Sequence, residues 1–303
     1  MKIIRTILKD IKPEELGNFN YHEHAFQCTP LLPNEDLDDF EKSQKEFREL
    51  KESGFNGYLE ATPYGLGRRP DLVAKIAQST GLNIVHTTGF HKLDHYSDQP
   101  EILGFNVEDK INLIISEITK GFNNTNIKAG VIKTGVGEKV LSEFEKSSIQ
   151  AAAYVNREIG TAIMVHLDKK SNAELVLDLF EENEVELSRV CLAHADAKVD
   201  PNELKNLLAR GVYLGFDRAA RLNEIAELGN LKLFAELVDA GFCGQILFGG
   251  DLARRTRYEA YGGKPGLRFL NEVYLPKLQA VTSESQIRQI LNENPATWLA
   301  FTP

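Results

Sequence analysis

The chain has 303 residues, enough for one large α/β domain or two small ones. Its 42% hydrophobic and 26% charged residues are typical of a soluble globular protein and argue against disorder. A net charge of −9 disfavours nucleic acid and anionic membranes as partners, because the long-range field has the wrong sign. A local basic patch could still bind a small anion.

The cysteines and the N-terminal residues indicate the cellular compartment. Cys28, Cys191 and Cys243 form no CxxC pair and no disulfide framework, which predicts a reducing, cytoplasmic setting. The N-terminal run MKIIRTILKDIKPEELG acquires acidic residues too early for a signal peptide. No apolar stretch approaches the length of a membrane span, so we expect no membrane contact.

Hydrophobic periodicity predicts a regular alternation of strands and helices. The first residues alternate as in a strand, the polar turn KPEELG follows, and residues 19–24 form the first core strand, which together suggest a short N-terminal hairpin. Seven further strands are predicted at 57–61, 82–89, 128–135, 161–166, 189–194, 212–216 and 245–250. Helices are predicted at 36–53, 70–80, 107–121, 143–159, 172–183, 201–210, 223–240, 266–279 and 284–301.

The strand count favours one architecture. Eight short strands rich in Val and Ile, each followed by a helix, are typical of a (β/α)8 TIM barrel. A doubly wound open sheet is the alternative, but it would usually carry a glycine-rich loop after its first strand, where this chain reads HEHAFQC. With no linker in view, we predict a single barrel domain over residues 1–303.

Six reactive residues stand at the ends of predicted strands: His22, His24, Lys133, His166, His194 and Asp251. In a barrel the carboxyl ends of the strands meet at one mouth, so these side chains should converge. Residues two apart in a strand point to the same face, as His22 and His24 do. Imidazoles joined by a carboxylate form a hydrolytic metal site with open coordination positions.

Each residue alone has an ordinary explanation. A single strand-end histidine is more often a core or surface residue than a ligand, and Asp251 could cap a helix or pair with an arginine. Lys133 could extend to solvent or form a Schiff base. All six in this order argue against coincidence and predict a metal centre.

The set resembles the phosphotriesterase family of the amidohydrolase superfamily. The matching stretches are NYHEHAF, KAGVIKTG, MVHLD, LAHAD, FGGDLARR and NENPATWLAF, ordered along nearly the whole chain. The resemblance implies that CO2 carboxylates Lys133, whose carbamate then bridges two divalent cations, zinc first and manganese, cobalt or iron as alternatives. It assigns His22, His24 and Asp251 to the buried metal, and His166 and His194 to the exposed one.

The same resemblance implies a mechanism. The two cations share a bridging water and lower its pKa, and the resulting hydroxide attacks an electrophilic carbonyl carbon or phosphorus. Asp251 accepts the proton of that water, and the exposed metal polarises the oxygen under attack.

Arginines beside two strand ends bear on the substrate. Arg218 and Arg221 follow the seventh strand, and Arg254 and Arg257 follow the eighth, where TIM barrels often bind phosphate. Solvated arginines paired with Asp217 or Glu259 are the alternative. The Asp251-x-x-Arg254-x-x-Arg257 pattern resembles members of the family that act on phosphorylated sugar lactones, and Arg255 is expected to point away.

We therefore predict a hydrolase of phosphorylated sugar lactones, a phospho-furanonolactonase, with a small anionic substrate. A phosphotriesterase or an acyl-homoserine lactonase is the alternative within enzymes, and a non-catalytic metal-binding protein is the alternative outside them. The sequence is also compatible with a homodimer.

The loop after the third strand, GFHKLDHY, carries His91 where relatives tend to place an aromatic residue. His91 either hydrogen-bonds a sugar hydroxyl or belongs to a structural loop, and His95 lies in the same segment. His86 lies inside the third strand and is expected in the core or lining the barrel. Glu60 either orients a ligand histidine or forms a buried salt bridge with an arginine.

Overall fold

An antiparallel hairpin precedes the main sheet in the computed structural model, which describes residues 1–198 and 200–303. Strand β1 (Ile4–Arg5) pairs with β2 (Asp10–Ile11), so the predicted hairpin is confirmed. Its turn lies at residues 6–9 rather than at KPEELG, because Thr6 closes it by accepting and donating hydrogen bonds with Lys9.

Eight parallel strands follow and form one sheet in which chain neighbours are sheet neighbours. They are β3 Phe19–Glu23, β4 Gly57–Glu60, β5 Asn83–Gly89, β6 Val131–Val136, β7 Ala162–Leu167, β8 Val190–Ala193, β9 Tyr213–Phe216 and β10 Ile246–Phe248. The amide of Asp251, just after β10, donates to the carbonyl oxygen of His22 in β3 over 2.9 Å. This bond links the two edge strands, and the predicted TIM barrel is confirmed.

Helices lie between the strands and after the last one. They are α1 Phe40–Ser53, α2 Pro70–Thr80, α3 Pro100–Leu103, α4 Val107–Thr119, α5 Glu143–Ile159, α6 Ala173–Glu182, α7 Pro201–Ala209, α8 Glu224–Leu237, α9 Leu275–Gln279, α10 Glu284–Arg288 and α11 Asn294–Leu299. Within the described part of the chain, no helix has the length and apolarity that a membrane crossing requires.

Three of the predicted helices differ from the observed ones. Helix α1 begins at Phe40 instead of residue 36 because the Asp39 carboxylate caps it, accepting from the amide of Lys42 at 3.1 Å. The helix predicted at 266–279 has a π-helical turn at Leu270–Tyr274 before α9, and the helix predicted at 284–301 is divided into α10 and α11 by a π-helical turn at Gln289–Glu293.

Successive side chains of a strand point to opposite faces of the sheet, so the strands contribute to two separate hydrophobic clusters. Tyr58 and Ile84 belong to the large layer between barrel and helices, whereas their chain neighbours Leu59 and Val85 belong to a smaller cluster with Trp298. Both faces of the strands are therefore buried, and reactive groups reach solvent only at the strand ends.

Candidate metal centre and active-site cavity

Five of the six predicted ligands lie at or shortly after the carboxyl ends of barrel strands, and Lys133 lies in the middle of β6. His22 is in β3 and His166 in β7, His24 and His194 directly follow β3 and β8, and Asp251 follows β10 after two glycines. His194 and Asp251 adopt left-handed backbone conformations, with φ of 61° and 41°. Such conformations cost about 1–3 kcal/mol each and persist where the surrounding structure enforces them, which is frequent at functional sites.

One group of ligand atoms surrounds Asp251. Its Oδ1 lies 3.6 Å from His22 Nε2 and 3.4 Å from His24 Nε2. The opposite nitrogen of His24, Nδ1, contacts the hydroxyl of Thr62 at 2.7 Å. Two imidazole nitrogens thus approach the same carboxylate oxygen.

The second group consists of His166 and His194. His166 Nδ1 lies 2.8 Å from His194 Nε2, and the other nitrogen of His166 contacts Asp168 Oδ1 at 3.0 Å. Asp168 in turn pairs with Lys92. The carboxylate therefore fixes the ring so that Nδ1 faces His194.

Asp217 contacts one histidine of each group. Its two carboxylate oxygens contact Nδ1 of His22 at 2.9 Å and Nδ1 of His194 at 2.7 Å, and Tyr21 donates a hydrogen bond to the same carboxylate. Every one of the four ligand histidines thus has one ring nitrogen fixed by a protein oxygen and the other turned toward the shared centre. This is the usual arrangement of metal-ligating histidines, so the donor set fits divalent cations.

Asp217 was not predicted as a site residue; it entered only as an alternative partner for arginines. The signal was present, because Asp217 directly follows β9 as the predicted ligands follow their strands. Potential ligand atoms of His22, His194, Asp217 and Asp251 lie within 4.8 Å of one another. With both oxygens occupied by imidazoles, Asp217 is suited to orient the ligand rings.

Replacing Asp217 by asparagine is expected to weaken metal binding by about 10–100-fold, since one amide oxygen cannot accept from both imidazoles. Metal dissociation constants from a competing chelator check this, with the exposed Asp239→Asn variant as the control. An unchanged metal affinity in a folded Asp217→Asn protein would show that this carboxylate is dispensable.

Lys133 is buried among these ligands. Its Nζ donates to the carbonyl oxygen of Ala61 at 2.9 Å. Burial lowers the pKa of Lys133 to about 8, although the charges of Asp251, Asp217 and Glu60 counteract part of this effect. A lowered pKa increases the fraction of neutral amine, which is the form that reacts with CO2.

Glu60 has neither of its predicted partners. Its Oε2 accepts from the amide of Ala25 at 2.6 Å, one residue after His24, and Oε1 has no partner within residues 1–198 and 200–303. Glu60 therefore holds the backbone that follows β3. His86 is in the core as predicted, fully buried with its ring against Phe122.

Burial sets the protonation of the ligands. It lowers the pKa of His22 to about 3, of His24 to about 4 and of His166 to about 3. Burial alone would raise the pKa of Asp251, but the charge of Arg221 holds it well below its usual range. Neutral imidazoles and an ionised carboxylate are the forms that bind metal ions.

A cavity of about 220 Å³ opens above the ligands. Its lining includes the predicted ligands His24, His166, His194 and Asp251, together with the arginines Arg218, Arg221 and Arg254. His91, predicted to contact substrate, and His95 also line it. Imidazole, carboxylate and guanidinium groups thus share one small volume.

The predicted arginines differ in their contacts. The guanidinium groups of Arg218 and Arg254 form no hydrogen bond or ion pair among the described residues, whereas Arg221 pairs with Asp251. Arg257 donates to the carbonyl oxygen of Leu252 at 3.2 Å and is not among the described residues that line the cavity. Arg255 points away as predicted, over the ring of Tyr261.

The charges of these arginines repel one another. The pKa of Arg257 is lowered to about 10 by its burial and by the charges of Arg221 and Arg254. A bound anion would relieve this repulsion.

A second cavity of about 360 Å³ adjoins the first and shares Arg218 and Lys169 with it. Much of its lining is apolar and comes from Leu222, Ala226 and Leu233. Space beside the metal ligands is therefore divided into a polar and a more apolar part.

The model of the phosphotriesterase family matches residues 2–299. The chain belongs to the phosphotriesterase family. The predicted resemblance is confirmed, and it extends over nearly the whole sequence.

Relatives within the phosphotriesterase family have several named activities. A phosphotriesterase-related protein of Nematostella vectensis is 28% identical, covering 93% of this chain and 82% of the relative. An N-acetyltaurine hydrolase of Xenopus tropicalis is 25% identical, covering 98% of both. The crystal structure of a lactonase from Listeria monocytogenes superposes with a TM-score of 0.92, at 28% identity over 99% of this chain and 100% of the lactonase.

Two of these relatives have names that state a hydrolytic activity, the N-acetyltaurine hydrolase and the lactonase, and the phosphotriesterase family is a group of metal-dependent hydrolases. The prediction of a metal-dependent hydrolase is thereby confirmed. The alternative of a non-catalytic metal-binding protein has no support among these relatives.

Proposed function

We propose that this protein is a binuclear-metal hydrolase that opens phosphorylated sugar lactones. One observation carries the proposal: a single small cavity is lined both by proposed metal ligands, His166, His194 and Asp251 among them, and by the unpaired guanidinium groups of Arg218 and Arg254. A substrate with an electrophilic carbonyl and a nearby phosphate matches both sets of groups, because guanidinium groups bind phosphate through a planar donor fork.

In the proposal, His22, His24 and Asp251 hold the more buried ion, and His166 and His194 hold the more exposed one. Lys133, if carboxylated by CO2, would supply an anionic ligand shared by this centre, since an ammonium at this buried position would repel cations and a carbamate would attract them. Zinc is the ion we favour, and manganese, cobalt and iron are alternatives. Ions held by these residues would supply a water of lowered pKa as nucleophile and a positive charge for the substrate oxygen.

Asp251 has the proposed role of proton acceptor. Asp251 lines the cavity, and its Oδ1 lies near Nε2 of both His22 and His24. Its Oδ2 is anchored by an ion pair with Arg221. A carboxylate positioned against the attacking water can take its proton and pass it to the departing oxygen of the lactone ring.

Arg254→Ala is expected to raise KM for a phosphorylated lactone by about 10–100-fold, since a charge-assisted hydrogen bond contributes about 1.5–3 kcal/mol. The rate with the same lactone lacking phosphate should stay unchanged. Arg255→Ala is the matched control, because Arg255 lies on Tyr261 outside the cavity. Equal losses with both lactones, or none, would refute the phosphate assignment.

The second cavity favours one alternative. Its apolar lining by Leu222, Ala226 and Leu233 could hold the substituent of a phosphotriester or an acyl-homoserine lactone. Activity with a panel of phosphorylated lactones, plain lactones, acyl-homoserine lactones, triesters and N-acetyltaurine distinguishes these functions. The proposal requires the highest kcat/KM for a phosphorylated lactone.

Location and assembly complete the proposal. Cys28, Cys191 and Cys243 are free thiols, which agrees with a reducing cytoplasm. The homodimer stays a prediction, which light scattering of the purified protein would test.

A further inference from the structure

His91 is held in one orientation at the edge of the cavity. It directly follows Phe90 after β5 and is only 6% exposed. Its own amide donates to the hydroxyl of Tyr96 at 2.8 Å, and that hydroxyl donates to the carbonyl oxygen of Tyr64 at 2.9 Å. These bonds anchor the backbone that carries the imidazole.

A further hydrogen bond selects the tautomer of this ring. The amide of Lys92 donates to Nδ1 of His91 at 2.9 Å. Because Nδ1 accepts, the ring carries its proton on Nε2. Nε2 of His91 meets no hydrogen-bond acceptor among the described residues, and the residue lines the cavity, so an N–H donor is available to a bound molecule.

The position of the ring indicates what this donor meets. The His91 ring centroid lies 4.3 Å from that of His166 and 3.9 Å from that of His95. His166 is the proposed ligand of the exposed ion, which faces the substrate. A donor beside it therefore lies on the side where the substrate oxygen under attack would be.

We propose that Nε2–H of His91 donates a hydrogen bond to the substrate oxygen that gains negative charge during hydrolysis. As water attacks the carbonyl carbon or phosphorus, the π electron pair moves onto this oxygen, and His91 stabilises it while keeping its proton. The assignment rests on the proposed hydrolytic function, but not on the choice of lactone. It makes His91 a catalytic residue and removes the alternative of a purely structural loop.

The expected effect is on turnover. A preorganised donor of this kind contributes about 10²–10³-fold to kcat. His91→Leu, which keeps much of the volume and removes the donor, should lower kcat by about 100-fold with little change in KM and with the metal content of the wild type. His91→Gln places an amide donor near the position of Nε2 and should recover at least part of the loss.

The experiment has two controls, a matched variant and a test of folding. Asp98→Asn, exposed in the same loop, should match the wild type. Thermal unfolding of each variant shows whether the loop remains folded. Equal kcat values for His91→Leu and the wild type would overturn the proposal, and so would a His91→Gln variant as impaired as His91→Leu.

The tautomer is measured independently of activity. Long-range ¹H–¹⁵N correlation spectra of the metal-loaded protein should show His91 with a protonated Nε2 and an unprotonated Nδ1. The signals are assigned by their loss in His91→Gln. A protonated Nδ1 would contradict the inference.

Failure of the proposed function would look different. If the wild type hydrolyses another class of substrate, the His91 variants are compared on that substrate, and a kcat loss there still supports His91 as the donor. If phosphorylated lactones are hydrolysed at equal rates by the wild type and His91→Leu, the proposed function stands and this inference fails.

Discussion

Replacing Lys133 by methionine is expected to lower kcat/KM by about 10³-fold or more and to reduce the bound metal below two ions per chain. Methionine keeps the shape of the buried side chain but cannot form a carbamate, so the anion proposed to bridge the two ions is lost. A loss of this size corresponds to several kcal/mol of transition-state stabilisation by the metal centre. Elemental analysis and kinetics on the same preparation measure both effects.

The matched control is Lys139→Met, an exposed lysine in the loop after β6. Carboxylation itself is tested by reconstituting metal-free protein with and without ¹³C-bicarbonate and observing the carbamate carbon by NMR. Lys133→Met should show no carbamate signal and no dependence on bicarbonate. Two tightly bound ions and normal rates in this variant would rule out the bridging role.

The second large effect is expected for Asp251→Asn. An asparagine side chain retains the shape and one oxygen but cannot accept a proton, so kcat should fall by about 10²–10⁴-fold. Because Asp251 is also a proposed ligand, rates are compared only for protein whose metal content has been restored and measured.

Asp239→Asn, an exposed carboxylate shortly before β10, serves as the control. Normal turnover by metal-loaded Asp251→Asn would exclude Asp251 as the proton acceptor. Loss of metal without recovery on reloading would instead assign it to metal binding.

Hydrophobic periodicity predicted the barrel because strands buried on both faces and helices with one apolar face have different repeats. Boundaries moved where local hydrogen bonding overrode that pattern, as with the Asp39 cap of α1 and the π-helical turn at Leu270–Tyr274. The six strand-end residues could be predicted to converge, because barrel topology alone brings strand ends together.

Contacts between distant strands could not be predicted in the same way. Asp217 lies 195 residues from His22 and 23 from His194, and only the closed barrel brings them to one carboxylate. The contacts that each arginine makes could not be predicted from the sequence either. Arg221 pairs with Asp251 and Arg257 turns to a backbone carbonyl, and spacing along the chain does not distinguish them from Arg254.

The carboxylate of Asp217 contacts one histidine from each of the two groups. In the proposed centre, the two ion positions are therefore mechanically coupled: an ion at one position would fix the ring of His22 or His194 and, through the shared carboxylate, favour the correct angle of the other ring. We expect metal-free protein to take up its ions cooperatively, so that species with a single ion are scarce during titration. Engineering one position for a different metal would then alter the affinity of its neighbour, and the pair would have to be redesigned together.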